Sequence, residues 1–111
     1  MDELDRRNRA IALFTLYGGL LSKTQREALS SHLCYDLSIS EIAESGKISR
    51  AAASDAITKG MERLQKIEGA LGLLEKQQEY ASAIQAIELV DDEKAKLSLY
   101  RALGRLFTHG I

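Results

Sequence analysis

The chain has 111 residues, the length of one ordinary domain. It is 45% hydrophobic and 5% aromatic with no tryptophan, so a core must rest on leucine, isoleucine and alanine. Fifteen basic against sixteen acidic side chains leave a net charge of −1, without the basic excess that marks a dedicated nucleic-acid binder. There is no proline, no period-two alternation of apolar residues, and no apolar window approaching the roughly 18 residues of a membrane span, so an all-α class is expected.

The acidic opening Met1-Asp2-Glu3-Leu4-Asp5 lacks the apolar stretch of a signal peptide, and the single cysteine, Cys34, cannot form an internal disulfide. Both point to a cytoplasmic protein. A first helix is expected over 3–21, with Leu4, Ile11, Phe14, Tyr17, Leu20 and Leu21 at helical spacing and Gly18-Gly19 weakening its last turn. Ser22-Lys23-Thr24-Gln25 has the capping-box form and opens a second helix, about 23–35, with Leu29, Leu33 and Cys34 along it. Its apolar setting predicts a buried, inert Cys34 thiol.

Ser38-Ile39-Ser40-Glu41 repeats the box and starts a short third helix through Ser45, with Gly46 as the expected left-handed stop. Ser49 then caps a fourth helix. Two capped helices joined by so short a turn make a helix-turn-helix, placed at 37–66, with Ile42, Ala43, Ile48, Ala53 and Ile57 as the lock between them. The apolar pattern continues through Met61, Leu64, Ile67, Leu71 and Leu74 toward Tyr80, unless Gly60, Gly69 or Gly72 divides it. Ser82 is a candidate cap for a further helix through Val90. Asp91 or Asp92 is the candidate cap for the last, and Arg101 and Arg105 suit its dipole. The expected organisation is one all-helical domain over 1–111, with a long connecting helix and a C-terminal helical hairpin, the arm at 70–111.

Catalytic patterns are missing. His32 has no second histidine at ligand spacing, the glycines form no phosphate loop, and Asp91-Asp92-Glu93 reads as a cap with dipole-favoured acids. No enzyme, metal site or cofactor is expected.

Leu20-Leu21-Ser22-Lys23-Thr24-Gln25-Arg26, Leu37-Ser38-Ile39-Ser40-Glu41-Ile42-Ala43-Glu44 and Ile48-Ser49-Arg50-Ala51-Ala52-Ala53-Ser54-Asp55-Ala56-Ile57 together resemble the YlxM family, itself similar to region 4 of sigma factors. The resemblance covers roughly residues 8–80. It implies a helix-turn-helix protein with a regulatory or accessory role in the signal recognition particle (SRP) pathway, its partners being the SRP GTPase or SRP RNA. Ala51, Ala52 and Ser54 stand where sigma-type recognition helices carry long polar residues, which favours a macromolecular partner over lone DNA-operator binding.

Within the motif, Arg50 is the candidate for a phosphate or guanine contact, with a solvated arginine or a salt bridge as its ordinary alternative. Ser54 and Thr58 follow along the same face, and Ser49 is a cap whose hydroxyl can also touch phosphate. Lys47, Lys59, Arg63 and Lys66 can edge a backbone contact or simply solvate the helix, and Asp55 can pair with Lys59 at i+4. Residues 37–69 carry five basic and five acidic groups, so random duplex DNA should bind weakly. Arg6, Arg7 and Arg9 can form a patch for an acidic partner. Leu97, Tyr100, Leu103 and Phe107 form an apolar stripe on the last helix, the expected interface of a two-fold homodimer unless the arm folds back onto the first two helices.

Overall fold

Five helix starts are written by a short polar side chain that accepts the otherwise orphaned amides of a first turn. In the computed structural model, which describes residues 2–109, the described residues form six α-helices and no strand. These are α1 (Glu3–Tyr17), α2 (Lys23–Cys34), α3 (Ile39–Gly46), α4 (Arg50–Leu71), α5 (Leu73–Glu88) and α6 (Glu93–His109), with one 3-10 turn at Gly18–Leu20. Asp2 caps α1 by accepting from the Asp5 amide at 2.8 Å. Ser22 and Gln25 close a reciprocal box on α2, and Ser38 and Glu41 close another on α3, each with both hydrogen bonds in place. Asp92 caps α6, its Oδ1 accepting from the Lys94 amide at 3.0 Å.

The helix ends differ more from expectation. α1 stops at Tyr17, four residues early, because Gly18-Gly19 turns into the 3-10 segment. Gly46 is the last helical residue of α3, and Lys47 takes the left-handed conformation expected of it, at φ 55. The Lys47 amide donates to the Glu44 carbonyl (3.3 Å) and the Ile48 amide to that of Ala43 (3.0 Å). This is the Schellman arrangement, and it also seats Ile48 against the core as the apolar closing contact.

The expected long helix is divided at Gly72, whose φ of 64 is open to glycine and whose amide donates to Glu68. Gly60 and Gly69 leave α4 unbroken over 22 residues, about 33 Å. Ser82 caps nothing. It lies inside α5, where no break precedes it to free an amide for its hydroxyl.

The chain divides between Gly72 and Leu73 into two compact units. In the first, α4 packs against α1, α2 and α3. Leu13, Tyr17, Leu29 and Leu64 are its largest fully buried side chains. The Tyr17 hydroxyl donates to Glu68 at 2.5 Å, tying α1 to the end of α4. Leu4 and Leu20, expected inside, are 64% and 56% exposed, and the buried line on α1 is Ala10, Leu13 and Tyr17. Cys34 is exposed as well. One residue past buried Leu33 on a helix is a rotation of about 100°, which carries the thiol off the packed face. Gly60 lets α2 and α4 approach closely, since a Cβ there would stand 2.7 Å from Leu29 Cδ1.

In the second unit α5 and α6 form an antiparallel hairpin. Tyr80 and Phe107 meet edge to face with ring centroids 5.0 Å apart, and the Tyr100 hydroxyl donates to Glu88. Accepting that proton and adding its own negative charge, Glu88 holds the phenol above its usual pKa.

Candidate nucleic-acid interface

The lock of the helix-turn-helix is a cluster of small apolar side chains. Ala28, Ile42, Ala43, Ala53 and Ala56 are buried together, with Leu37, Ile48 and Ile57 packed against them. All five expected lock residues are present. Ala28 shows that α2 is the third wall of the motif, a role its sequence does not announce. Small residues at these positions let α3 lie across the start of α4, which fixes where that start points.

Ser49 fixes the start itself. Its Oγ accepts from the Ala52 amide at 3.0 Å, which leaves the hydroxyl proton able to donate outward. Arg50 is the first helical residue. Arg50, Ser54 and Thr58 stand at i, i+4 and i+8, so they form one exposed line with steps of about 6 Å. Among the described residues Arg50 makes no hydrogen bond or ion pair, so its guanidinium keeps all five donors. Lys47, at the turn, and Lys59, beside Thr58, are exposed too. Asp55 and Lys59, which the i+4 spacing allows to pair, form no ion pair among the described residues. The arrangement offers one forked cation, hydroxyl donors and two lysines, interrupted by the acids Asp55 and Glu62. It can touch a phosphate backbone or a base edge. It cannot supply a strong field.

Of the three arginines of α1, Arg7 is engaged within the fold. Its Nη1 lies 3.2 Å from Asp36 Oδ1 and its Nη2 donates to the Leu33 carbonyl at 2.9 Å. It thereby caps the end of α2 and holds Asp36, whose φ is 55, at the entry to α3. Nothing local in the sequence links residues 7 and 36. A surface groove of about 640 Å³ runs along α2 and α3 over Phe14, Ile42 and Ile48, edged by Arg26, Glu27 and Ser45. His32 Nδ1 lies 3.5 Å from the Leu37 carbonyl, and the described residues hold no group of three or more metal-ligating side chains. No described helix is long and apolar enough to cross a membrane.

Of the four residues expected at a dimer interface, Leu97 is 52% exposed, while Tyr100, Leu103 and Phe107 are half-buried. Tyr100 and Phe107 face α5, so the four do not share one open face.

Comparison with known proteins bears on the whole arrangement. Residues 4–102 match the UPF0122 family, described as "Putative helix-turn-helix protein, YlxM / p13 like". A UPF0122 protein of Exiguobacterium sp. is 34% identical over 99 residues, covering 86% of this chain and 92% of the relative. One from Acetivibrio thermocellus is 37% identical over 92 residues, covering 83% and 77%. One from Ureaplasma parvum serovar 3 is 47% identical over 66 residues, covering 60% and 67%. With capped helices, a small-residue lock and a match over almost its whole length, the chain belongs to the UPF0122 family of helix-turn-helix proteins.

Proposed function

We propose that this helix-turn-helix protein is a cytoplasmic accessory factor of the SRP pathway, binding the SRP RNA, the SRP GTPase or both. The observation that carries a binding role is the exposed line Arg50, Ser54 and Thr58 on a helix start held by Ser49, with the Arg50 guanidinium unpaired. The pathway comes from the resemblance to YlxM proteins. Zero net charge over residues 37–69 argues for a partner that adds contacts of its own, because a neutral surface releases few counterions from a phosphate backbone. A second reading, a DNA-binding transcriptional regulator, is favoured by Arg50 itself, since arginine at the start of a recognition helix can take guanine bidentately.

Titration of the purified chain with SRP RNA, with the SRP GTPase and with random duplex DNA at about 0.15 M salt, near physiological, tests the proposal. Random DNA should bind at about 10⁻⁴–10⁻⁶ M, and the pathway partners more tightly. Arg50→Ala should weaken whatever nucleic-acid binding is measured. Nanomolar binding to one DNA sequence, with neither SRP component bound, would replace this reading by the regulator.

A further inference from the structure

The second unit segregates its charge. From Lys94 to Phe107 the chain carries four cations, Lys94, Lys96, Arg101 and Arg105, and no acid. Lys96 is half-buried with its Nζ 4.0 Å from Glu93, on the side of α6 that faces the hairpin. The other three are exposed and, among the described residues, in no ion pair. At about 100° per residue, positions 94, 101 and 105 fall within an arc of about 40°, with exposed Ser98 on its edge. They extend over about 16 Å of helix.

The helix dipole does not account for this line. Its influence fades within the last turn, which covers Arg105 at most and leaves Lys94 and Arg101 unexplained. Nor does a solvated helix face, which ordinarily mixes both signs as α4 does. An unopposed row of cations with a hydroxyl at its edge has the chemistry that recognises successive phosphates. Arginine grips them as a fork, lysine as a point charge and serine as a neutral donor.

We propose that the Lys94, Ser98, Arg101 and Arg105 face of α6 contacts the phosphate backbone of a nucleic-acid duplex, as a surface distinct from the start of α4. It rests on the nucleic-acid part of the reading above and adds the electrostatic contact that α4 lacks. Three neutralised phosphates give a salt slope of about −2.7, which near 0.15 M is worth on the order of a hundredfold in affinity.

The test is fluorescence-anisotropy titration of the full chain with labelled duplex DNA and duplex RNA across a potassium chloride series. The variant K94Q/R101Q/R105Q should lose on the order of a hundredfold and flatten the slope by about 3. The charge-matched control K23Q/R26Q/K76Q, also of exposed cations, should keep the wild-type slope to within about 1. The DNA and RNA arms identify the duplex. Circular dichroism checks that both variants stay helical.

If the control loses as much, the effect is one of global charge and the proposal falls. It falls equally if the α6 variant binds like wild type while Arg50→Ala does not, an outcome that leaves the role of α4 standing. Should Leu97→Ser, on the neighbouring apolar edge of α6, abolish binding, the face is an apolar docking surface instead. Absence of wild-type binding to either duplex overturns this proposal and the nucleic-acid reading together. An α6 variant that loses adhesion to phosphatidylserine vesicles but keeps duplex binding would reassign the face to lipid.

Discussion

Gly60 and Gly69 lie nine residues apart in α4, and the same substitution should move stability in opposite directions at the two sites. Replacing a helical glycine by alanine is worth about 1 kcal/mol through backbone entropy alone. At Gly69 a Cβ meets nothing within 4 Å, so Gly69→Ala should realise that gain. At Gly60 the added carbon would stand 2.7 Å from Leu29 Cδ1, closer than packed carbons tolerate, and a tight 3.2 Å from Cγ. Leu29 is fully buried and cannot swing away. Forcing a methyl into such a contact costs about 1–3 kcal/mol, so the entropy gain is cancelled or exceeded and Gly60→Ala should destabilise by about 1 kcal/mol net. With a urea slope of about 1–2 kcal/mol/M, the midpoint falls by about half to one molar at Gly60 and rises by a similar amount at Gly69. Far-ultraviolet circular dichroism in urea measures both. Leu29→Ala, itself costly, should partly rescue Gly60→Ala in a double-mutant cycle, because it vacates the space the new methyl needs. A midpoint that rises equally for both glycines would show that α2 and α4 are not in close contact at Gly60.

Lys47→Gly should stabilise the protein by about 0.5 kcal/mol, since a lysine in the left-handed region carries a penalty that glycine avoids, partly offset by the freer unfolded chain. A melting temperature higher by a few degrees, alongside weaker nucleic-acid binding, would separate the charge of Lys47 from its role in the turn. The Tyr100–Glu88 contact carries a pH signature. The phenol pKa is raised in the folded state, so its stabilisation is fully present below the unfolded value near 10 and is lost as pH rises through the folded one. Comparing the wild type with Tyr100→Phe in urea at pH 8 and above 10 should show the wild-type advantage shrinking at the higher pH, and an advantage that grows would contradict the contact.

The helix starts were legible because a cap is a local bond, between a side chain and an amide two or three residues on. Asp2, Ser22, Ser38, Ser49 and Asp92 each act within a single turn. The same form at Ser82 misled because a cap needs free amides, and whether the preceding turn is broken is not written in four residues. The stop of α3 was displaced by one for a similar reason. The pairing of the Lys47 and Ile48 amides, with Ile48 drawn toward the core, outweighs the preference of Gly46 for the left-handed position. Faces were less legible than ends. Leu33 and Cys34 are neighbours of similar apolarity, yet one is buried and the other exposed, and only the packing of α2 decides between them. Arg7 and Asp36 could not be joined from sequence at all, since their pairing depends on where α1 crosses the end of α2.

Charge is where local and global readings part most sharply. A net charge of −1 describes the chain correctly and still conceals a run of four cations without an acid. Taken alone, the start of α4 offers Arg50, Lys47 and Lys59 against Asp55 and Glu62, a net of one cation. A single neutralised phosphate gives a salt slope of about −0.9, too little for tight binding at physiological salt. Such a helix can discriminate among surfaces brought to it, through Arg50 and the hydroxyls of Ser54 and Thr58, but it does little to draw them in. A row of three unpaired cations has the complementary character, because it attracts any phosphate backbone and reads none of its sequence. The two surfaces therefore predict separable defects. Losing Arg50 should narrow the gap between a preferred partner and random duplex while leaving most of the salt dependence in place. Losing Lys94, Arg101 and Arg105 should weaken both ligands alike and remove that dependence. If the Arg50 variant instead lost most of the salt slope, the electrostatic contact would belong to α4, and the division of labour argued from α6 would be wrong.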